Sequence, residues 1–185
     1  MQTEIETRFL EINKDELVKK LISLGAIDKG EEKLEETIFH AADGSWVGKS
    51  KFVRLRKTKN KIKLTFKTNV AQKVDSAMEI ELEVSDVDKC RELLLQVGLK
   101  ETRKVEKYRH TFKLSGVTID VDTWPRIPVY AEVEGPSVES LQKICSQLSF
   151  DWEKRFDGDA RQVFIHYGYD FDKVSLLTFN EFKQE

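Results

Sequence analysis

The chain has 185 residues, 35% of them charged and 39% hydrophobic, and its 31 basic and 33 acidic side chains leave a net charge of −2. That length suits a single domain with a sizeable core over 1–185, and the near-cancelling charge argues against a general binder of nucleic acid or of an anionic membrane. No apolar run is long enough to span a membrane and the first residues hold no apolar signal segment, so a cytoplasmic protein is expected, as a monomer or homodimer.

In chain order, "TEIETRFLEI" alternates as a strand and sets Glu4, Glu6 and Arg8 on one face. An amphipathic helix comes next over Lys14–Leu24, opened by Asn13 and closed by Gly25. The loop "GSWVGKS" at Gly44–Ser50 invites a phosphate-binding-loop reading, but only Ser45, Trp46 and Val47 stand where such a loop needs four residues. The residues after the loop also alternate as a strand, where a phosphate-binding loop requires a helix. The segments "KFVRLRK" and "KIKLTFK" form a hairpin through Lys59 and Asn60, and "AMEIELEV" adds another strand. A second helix is expected over Asp86–Val97, capped by Ser85 and closed by Gly98. "KVEKYRHTFKL" and "VTIDVD" pair through Ser115 and Gly116, "VYAEVEG" is a strand, and a third helix spans Val138–Leu148 behind Ser137. Each helix comes after a charge-rich strand, which hints at internal duplication. The aromatic-rich tail from Phe150 to Glu185 reads as a helical cap on the sheet. Cys90 and Cys145 sit singly in apolar-periodic stretches and read as buried free thiols.

The informative feature is what alternates with the apolar residues. An outward strand face ordinarily mixes polar types, yet here each strand carries ionised groups of mostly one sign at every second position. Arg54 and Arg56 share a face, as do Lys61, Lys63 and Lys67; Glu79, Glu81 and Glu83; Arg103, Lys107 and Arg109; Asp120 and Asp122; and Glu132 and Glu134. Like charges repeated along one strand repel unless opposite charge lies nearby. A sheet curled into a barrel with these faces inward provides that, so the expected fold is an α+β, eight-stranded antiparallel β-barrel with flanking helices. Paired carboxylates are hard ligands suited to Mg²⁺ or Mn²⁺, and arginine forks and lysine ammonium groups suit phosphate oxygens. Both in one lumen call for a metal-bound polyphosphate.

This ordered series resembles the CYTH family, the triphosphate tunnel metalloenzymes, which includes class IV adenylate cyclases, thiamine-triphosphatases and inorganic triphosphatases. The resemblance rests on "EIETR" (Glu4, Glu6, Arg8), "RLR" (Arg54, Arg56), "KLTFK" (Lys63, Lys67), "EIE" (Glu79, Glu81), "KYR" (Lys107, Arg109), "DVD" (Asp120, Asp122) and "EVEG" (Glu132, Glu134), across roughly residues 1–170. It implies a triphosphate gripped by Arg8, Arg54, Arg56, Lys63, Lys67, Lys107 and Arg109, with Arg8, Lys67, Lys107 and Arg109 as the catalytic set. It also implies one or two divalent ions on Glu4, Glu6, Asp120, Asp122, Glu132 and Glu134, Asp122 ranking above Asp120, with Glu79 and Glu81 as supporting acids. Arg8 stands where the family carries lysine. The resemblance leaves three activities open: hydrolysis of inorganic or organic triphosphates, cyclisation of ATP to cyclic AMP and pyrophosphate, and binding of polyphosphate or nucleotide without turnover. Phe9, Phe39 and Trp46 offer surfaces for stacking a base, although lone aromatics in strands usually belong to a core.

Overall fold

A computed structural model describes residues 5–47, 49, 51–69 and 77–184; Glu4 of the N-terminal motif and Gly48 and Ser50 of the "GSWVGKS" loop fall outside these. The elements run β1 (Ile5–Phe9), α1 (Lys14–Ser23), β2 (Ile27–Ala41), β3 (Lys51–Lys57), β4 (Ile62–Asn69), β5 (Ala77–Val84), α2 (Val87–Gln96), β6 (Leu99–Leu114), β7 (Val117–Thr123), β8 (Tyr130–Gly135), α3 (Val138–Gln147), α4 (Ala160–His166), β9 (Val174–Leu177) and β10 (Phe182–Gln184).

Helix ends obey local chemistry. The Asn13 side chain accepts the Glu16 N–H, and Ser137 and Ser140 form a reciprocal capping box. At α2 the cap is Asp86 rather than Ser85, since the Asp86 carboxylate accepts both the Asp88 and Lys89 N–H groups and sets negative charge at the positive end of the helix. Gly25 and Gly98 come after α1 and α2 at φ 78° and 88°, a region that side chains rarely adopt. Ser115 and Gly116, at φ 50° and 81°, make the two-residue turn between β6 and β7.

The α+β class and antiparallel sheet are found as expected. Eight strands are neighbours in the order β1-β8-β7-β6-β2-β3-β4-β5. The chain forms two compact units, Met1–Glu32 with Lys107–Asp172, and Lys33–Glu106 with Lys173–Glu185. The long strands β2 and β6 contribute residues to both.

In the first unit the odd residues of β1, β7 and β8 and the even residues of β6 point into one core. Phe9, Phe112, Val117, Ile119, Val121, Ala131 and Val133 pack there against Leu17 and Leu21 of α1 and Leu141, Ile144 and Cys145 of α3. Each fully buried Leu or Ile contributes about 1.5–3 kcal/mol through removal of apolar surface from water. The opposite face of these strands is therefore left to the charged residues. In the second unit Phe39, Val53 and Leu55 pack with Cys90 and Leu94 of α2, and Trp46, Ile62, Leu64 and Phe66 close around them.

Beyond Phe150 the chain is mixed rather than a helical cap. A short 3₁₀ turn precedes α4, and β9 pairs parallel with β6 and antiparallel with β10. The apolar residues Val174 and Leu177 are buried from strand conformation, and a short apolar run cannot be told from helix by periodicity alone.

Candidate active site

The charged face of the first unit is built by cross-strand register. Glu6 stands opposite Glu134 and Arg8 opposite Glu132 on the β1–β8 ladder. Asp120 lies opposite Glu132, Asp122 opposite Tyr130, and Arg109 opposite Asp122. Because side chains alternate strictly along a strand, these pairings place all of them on one face.

Among the described residues, three cations meet five carboxylates there. Arg109 is the hub: its Nε and Nη2 each lie 2.7 Å from an Asp122 oxygen, its Nη1 lies 2.6 Å from Asp120 Oδ2 and its Nη2 lies 3.4 Å from Glu132 Oε1. Lys107 Nζ is 2.7 Å from Asp122 Oδ2 and lies 4.8 Å above the Trp124 ring. Arg8 Nη2 is 2.6 Å from Glu132 Oε2 and 3.0 Å from Glu6 Oε1, while its Nη1 donates to the Gly158 carbonyl at 2.5 Å. Thr111 Oγ1 donates to Asp120. Arg8, Lys107, Asp120, Asp122 and Glu132 are all buried, Asp122 completely.

Burial would push the Asp122 carboxyl up, but Lys107 and Arg109 overcome it and hold the group well below the usual carboxylate range. Glu132 shows the same pattern more mildly, with burial opposed by Arg109 and Arg8. Asp120 goes the other way: burial outweighs Arg109 and Thr111, and its carboxyl is raised. Burial works against the charged forms of Arg8 and Arg109, yet the surrounding carboxylates hold both firmly protonated.

One oxygen each from Glu6, Glu132 and Glu134 lie within 4.8 Å of one another. This trio suits a hard divalent cation: it offers oxygens only, and Glu132 stays ionised. Asp122 stands apart from the trio, because both of its oxygens already accept from Lys107 and Arg109. Glu4 lies outside the described residues.

The second unit carries its own charged face. Arg56 stands opposite both Glu36 and Lys63, and Lys67 opposite Glu79. Arg56 Nε is 2.6 Å from Glu36 Oε1, Lys63 Nζ is 2.6 Å from Glu81 Oε1, and Arg54 and Lys67 approach the two Glu79 oxygens at 3.8 and 3.6 Å. Thr65 also donates to Glu81, and Lys63 holds the Glu81 carboxyl below its ordinary value against some burial. Arg54, Arg56, Lys63 and Lys67 are thus brought together with Glu79 and Glu81, as the alternation predicts.

The CYTH domain profile matches residues 2–151, over half the chain. The chain belongs to the CYTH family. A protein of Methanocaldococcus jannaschii named a candidate adenylate cyclase is 23% identical over 132 residues, which is 71% of this chain and 75% of that protein. Among solved structures, a candidate adenylate cyclase from Vibrio parahaemolyticus superposes with a TM-score of 0.75 at 14% identity, covering 89% of this chain and 98% of that one. A Hippeastrum protein, described as a candidate adenylyl cyclase that reveals a dominant triphosphatase activity, gives 0.62 at 13% identity and covers 91% and 96%.

Several residues of this CYTH site escape the charge pattern. Glu36 is buried against Arg56. Its signal is local parity: Phe39 and Ala41 set the odd residues at the end of β2 in the core, which turns Glu36 to the opposite face. Tyr130 and Trp124 are buried in the first unit, where the Trp124 Nε1–H donates to Tyr130 Oη at 2.9 Å. Burial and the nearby Asp122 and Glu132 charges raise the Tyr130 hydroxyl well above its ordinary range. A lone aromatic in a strand gives no warning of such a contact. Phe9 stacks on Phe150 with ring centroids 4.3 Å apart, Phe39 is wholly buried, and Trp46 packs edge-on to Phe66.

Proposed function

We propose that the protein is a divalent-metal-dependent enzyme acting on triphosphates, hydrolysing inorganic or organic triphosphate. The observation that carries this reading is the convergence of Glu6, Glu132 and Glu134 on one face that also holds Arg8, Lys107 and Arg109. That donor set fits Mg²⁺ or Mn²⁺ on Glu6, Glu132 and Glu134, where the ion would neutralise phosphate oxygens and hold them in place.

The chain's own groups account for the rest. Lys107 and Arg109 are fixed by Asp122 before any substrate arrives, so their N–H groups need little reorganisation to meet charge on a phosphate oxygen. In the second unit we assign Arg54, Arg56, Lys63 and Lys67 to phosphate oxygens, with Glu79 and Glu81 keeping those side chains extended between turnovers. Arginine offers a planar fork and lysine a compact ammonium, and a triphosphate accepts both. The substrate class is a triphosphate or a nucleotide carrying one.

A second reading is an adenylate cyclase of the class IV type, supported by the names of the Methanocaldococcus and Vibrio proteins. Cyclisation of ATP needs the base and ribose held as firmly as the phosphates. Phe9, Phe39 and Trp46 are engaged in core packing instead, which favours hydrolysis.

The test is product analysis with Mg²⁺ or Mn²⁺, tripolyphosphate and ATP being offered separately. Hydrolysis predicts phosphate and pyrophosphate from tripolyphosphate and no cyclic AMP from ATP. Cyclic AMP with pyrophosphate would replace this reading by the second. Uptake of tripolyphosphate that leaves it intact would make the protein a binding module.

A further inference from the structure

Arg8 contacts something no phosphate site requires. Its main chain pairs with Phe156 in both directions, Arg8 N–H to Phe156 O at 3.1 Å and Phe156 N–H to Arg8 O at 2.8 Å. Beside this bridge Thr7 Oγ1 donates to Asp157 Oδ1 at 2.8 Å, and Arg8 Nη1 reaches the Gly158 carbonyl. Residues 156–158 therefore form a strap lying along β1. The strap is tightly seated: a Cβ at Gly158 would come within 2.4 Å of Phe156 Cε1 and 2.8 Å of Gln162 Oε1. A side chain at 158 would have to push Phe156 or Gln162 aside for that carbonyl to stay there.

The other end of the same guanidinium lies among the carboxylates. Nη2 serves Glu6 and Glu132, two of the three clustered acids, and Nε is buried with no hydrogen-bond partner. A lysine ammonium is a single point on a flexible stem, whereas the arginine fork holds two bonding directions rigidly apart. The two-pronged arginine is what makes the bridge from strap to carboxylates.

We propose that the Gly158 carbonyl positions Arg8 against the cation-ligating carboxylates, so that docking of the 156–158 strap and occupancy by a divalent cation oppose one another. This rests on Glu6, Glu132 and Glu134 being cation ligands. A cation at the trio would share two of its carboxylates with a guanidinium already bonded to them at 3.0 Å or less, and like charges drawn to the same carboxylates repel one another. The cation binds as Arg8 turns away from the cluster, and turning away breaks the hold on Gly158. Linkage then requires each event to weaken the other by the same factor.

Two measurements test this on the full chain. Mn²⁺ is titrated calorimetrically into the wild type, Gly158→Ala and the double variant Thr7→Val with Asp157→Ala; the double variant removes the strap's side-chain latch, together with the partly exposed Asp157–Arg155 pair, and leaves the Glu6, Glu132 and Glu134 side chains in place. Backbone hydrogen exchange is monitored at Arg8 and Phe156 with and without Mn²⁺. The expected result is about tenfold tighter Mn²⁺ binding in the variants, within the usual range of such coupling, and faster exchange at both amides in wild type when Mn²⁺ is bound. Equal or weaker Mn²⁺ binding by the folded double variant, or exchange that saturating Mn²⁺ does not move, overturns the proposal while the cation site stands. No Mn²⁺ binding by the wild type would remove the cation site itself and this inference with it.

Discussion

Substituting Asp122 by Asn keeps the side chain's shape and removes one charge from a position with no exposed surface. Both carboxylate oxygens are occupied, by Lys107 at 2.7 Å and by two nitrogens of Arg109 at 2.7 Å each. The variant leaves Lys107, itself 5% exposed, and Arg109 sharing one amide oxygen, with the NH₂ group facing a cation it cannot accept from. Breaking a buried pair from one side generally costs about 3–5 kcal/mol, and retention of Arg109's bonds to Asp120 and Glu132 places the expected loss toward the lower end. Urea unfolding at neutral pH, monitored by tryptophan fluorescence, measures it directly. The pH dependence has a fixed sign. The folded-state carboxyl is held well below its ordinary value, so its stabilisation is complete above the unfolded-state value of about 3.9 and is lost progressively as pH falls beneath that. The gap between wild type and variant therefore shrinks on acidification. A loss below about 1 kcal/mol at neutral pH, the range of an exposed pair, or a gap unchanged down to about pH 3, would refute the reasoning.

Glu81→Ala removes a half-exposed partner of Lys63 and should change the unfolding free energy by less than about 1 kcal/mol in the same urea assay. Gly135→Ala forces a methyl to within 2.8 Å of Leu141 Cδ1 and 3.1 Å of Val117 Cγ2, so thermal unfolding should reveal a loss of about 1–3 kcal/mol from overpacking. Burial pushes the Cys145 thiol up to about 11, so at pH 8 it should react with an aromatic disulfide reagent only at the rate of unfolding. Rapid reaction in the folded state would contradict its placement in the core.

Much of this was legible in the residues because two periods dominate. The helices α1, α2 and α3 match their apolar stripes to within a residue or two, and the Ser115-Gly116 turn falls where two alternating runs meet. Alternation also separates apolar faces from charged ones, which sets Arg8, Lys107 and Arg109 on the charged face of the first unit and Arg54, Arg56, Lys63 and Lys67 on that of the second. Alternation does not reveal which residues face each other across a ladder. Asp122 and Glu134 look equivalent in sequence, yet register gives Asp122 to Lys107 and Arg109 and brings Glu134 beside Glu6 and Glu132. Glu36 sits in a Glu35–Glu36 doublet, where only parity with Phe39 and Ala41 tells which of the two turns inward. The strap at 156–158 has no periodic signal at all, because it is held by main-chain pairing to Arg8 and by a glycine's lack of a side chain.

The proposed divalent-cation site of Glu6, Glu132 and Glu134, on a face proposed to bind phosphate, can be tested directly. Titrating Mn²⁺ into the wild type and Glu134→Gln under electron paramagnetic resonance, with and without tripolyphosphate, addresses it most directly. The account predicts that the free-ion signal is quenched by wild type, more strongly when tripolyphosphate is present, and that Glu134→Gln weakens this at least tenfold. An undiminished free-ion signal with folded wild type and tripolyphosphate, or equal binding by the variant, would contradict it.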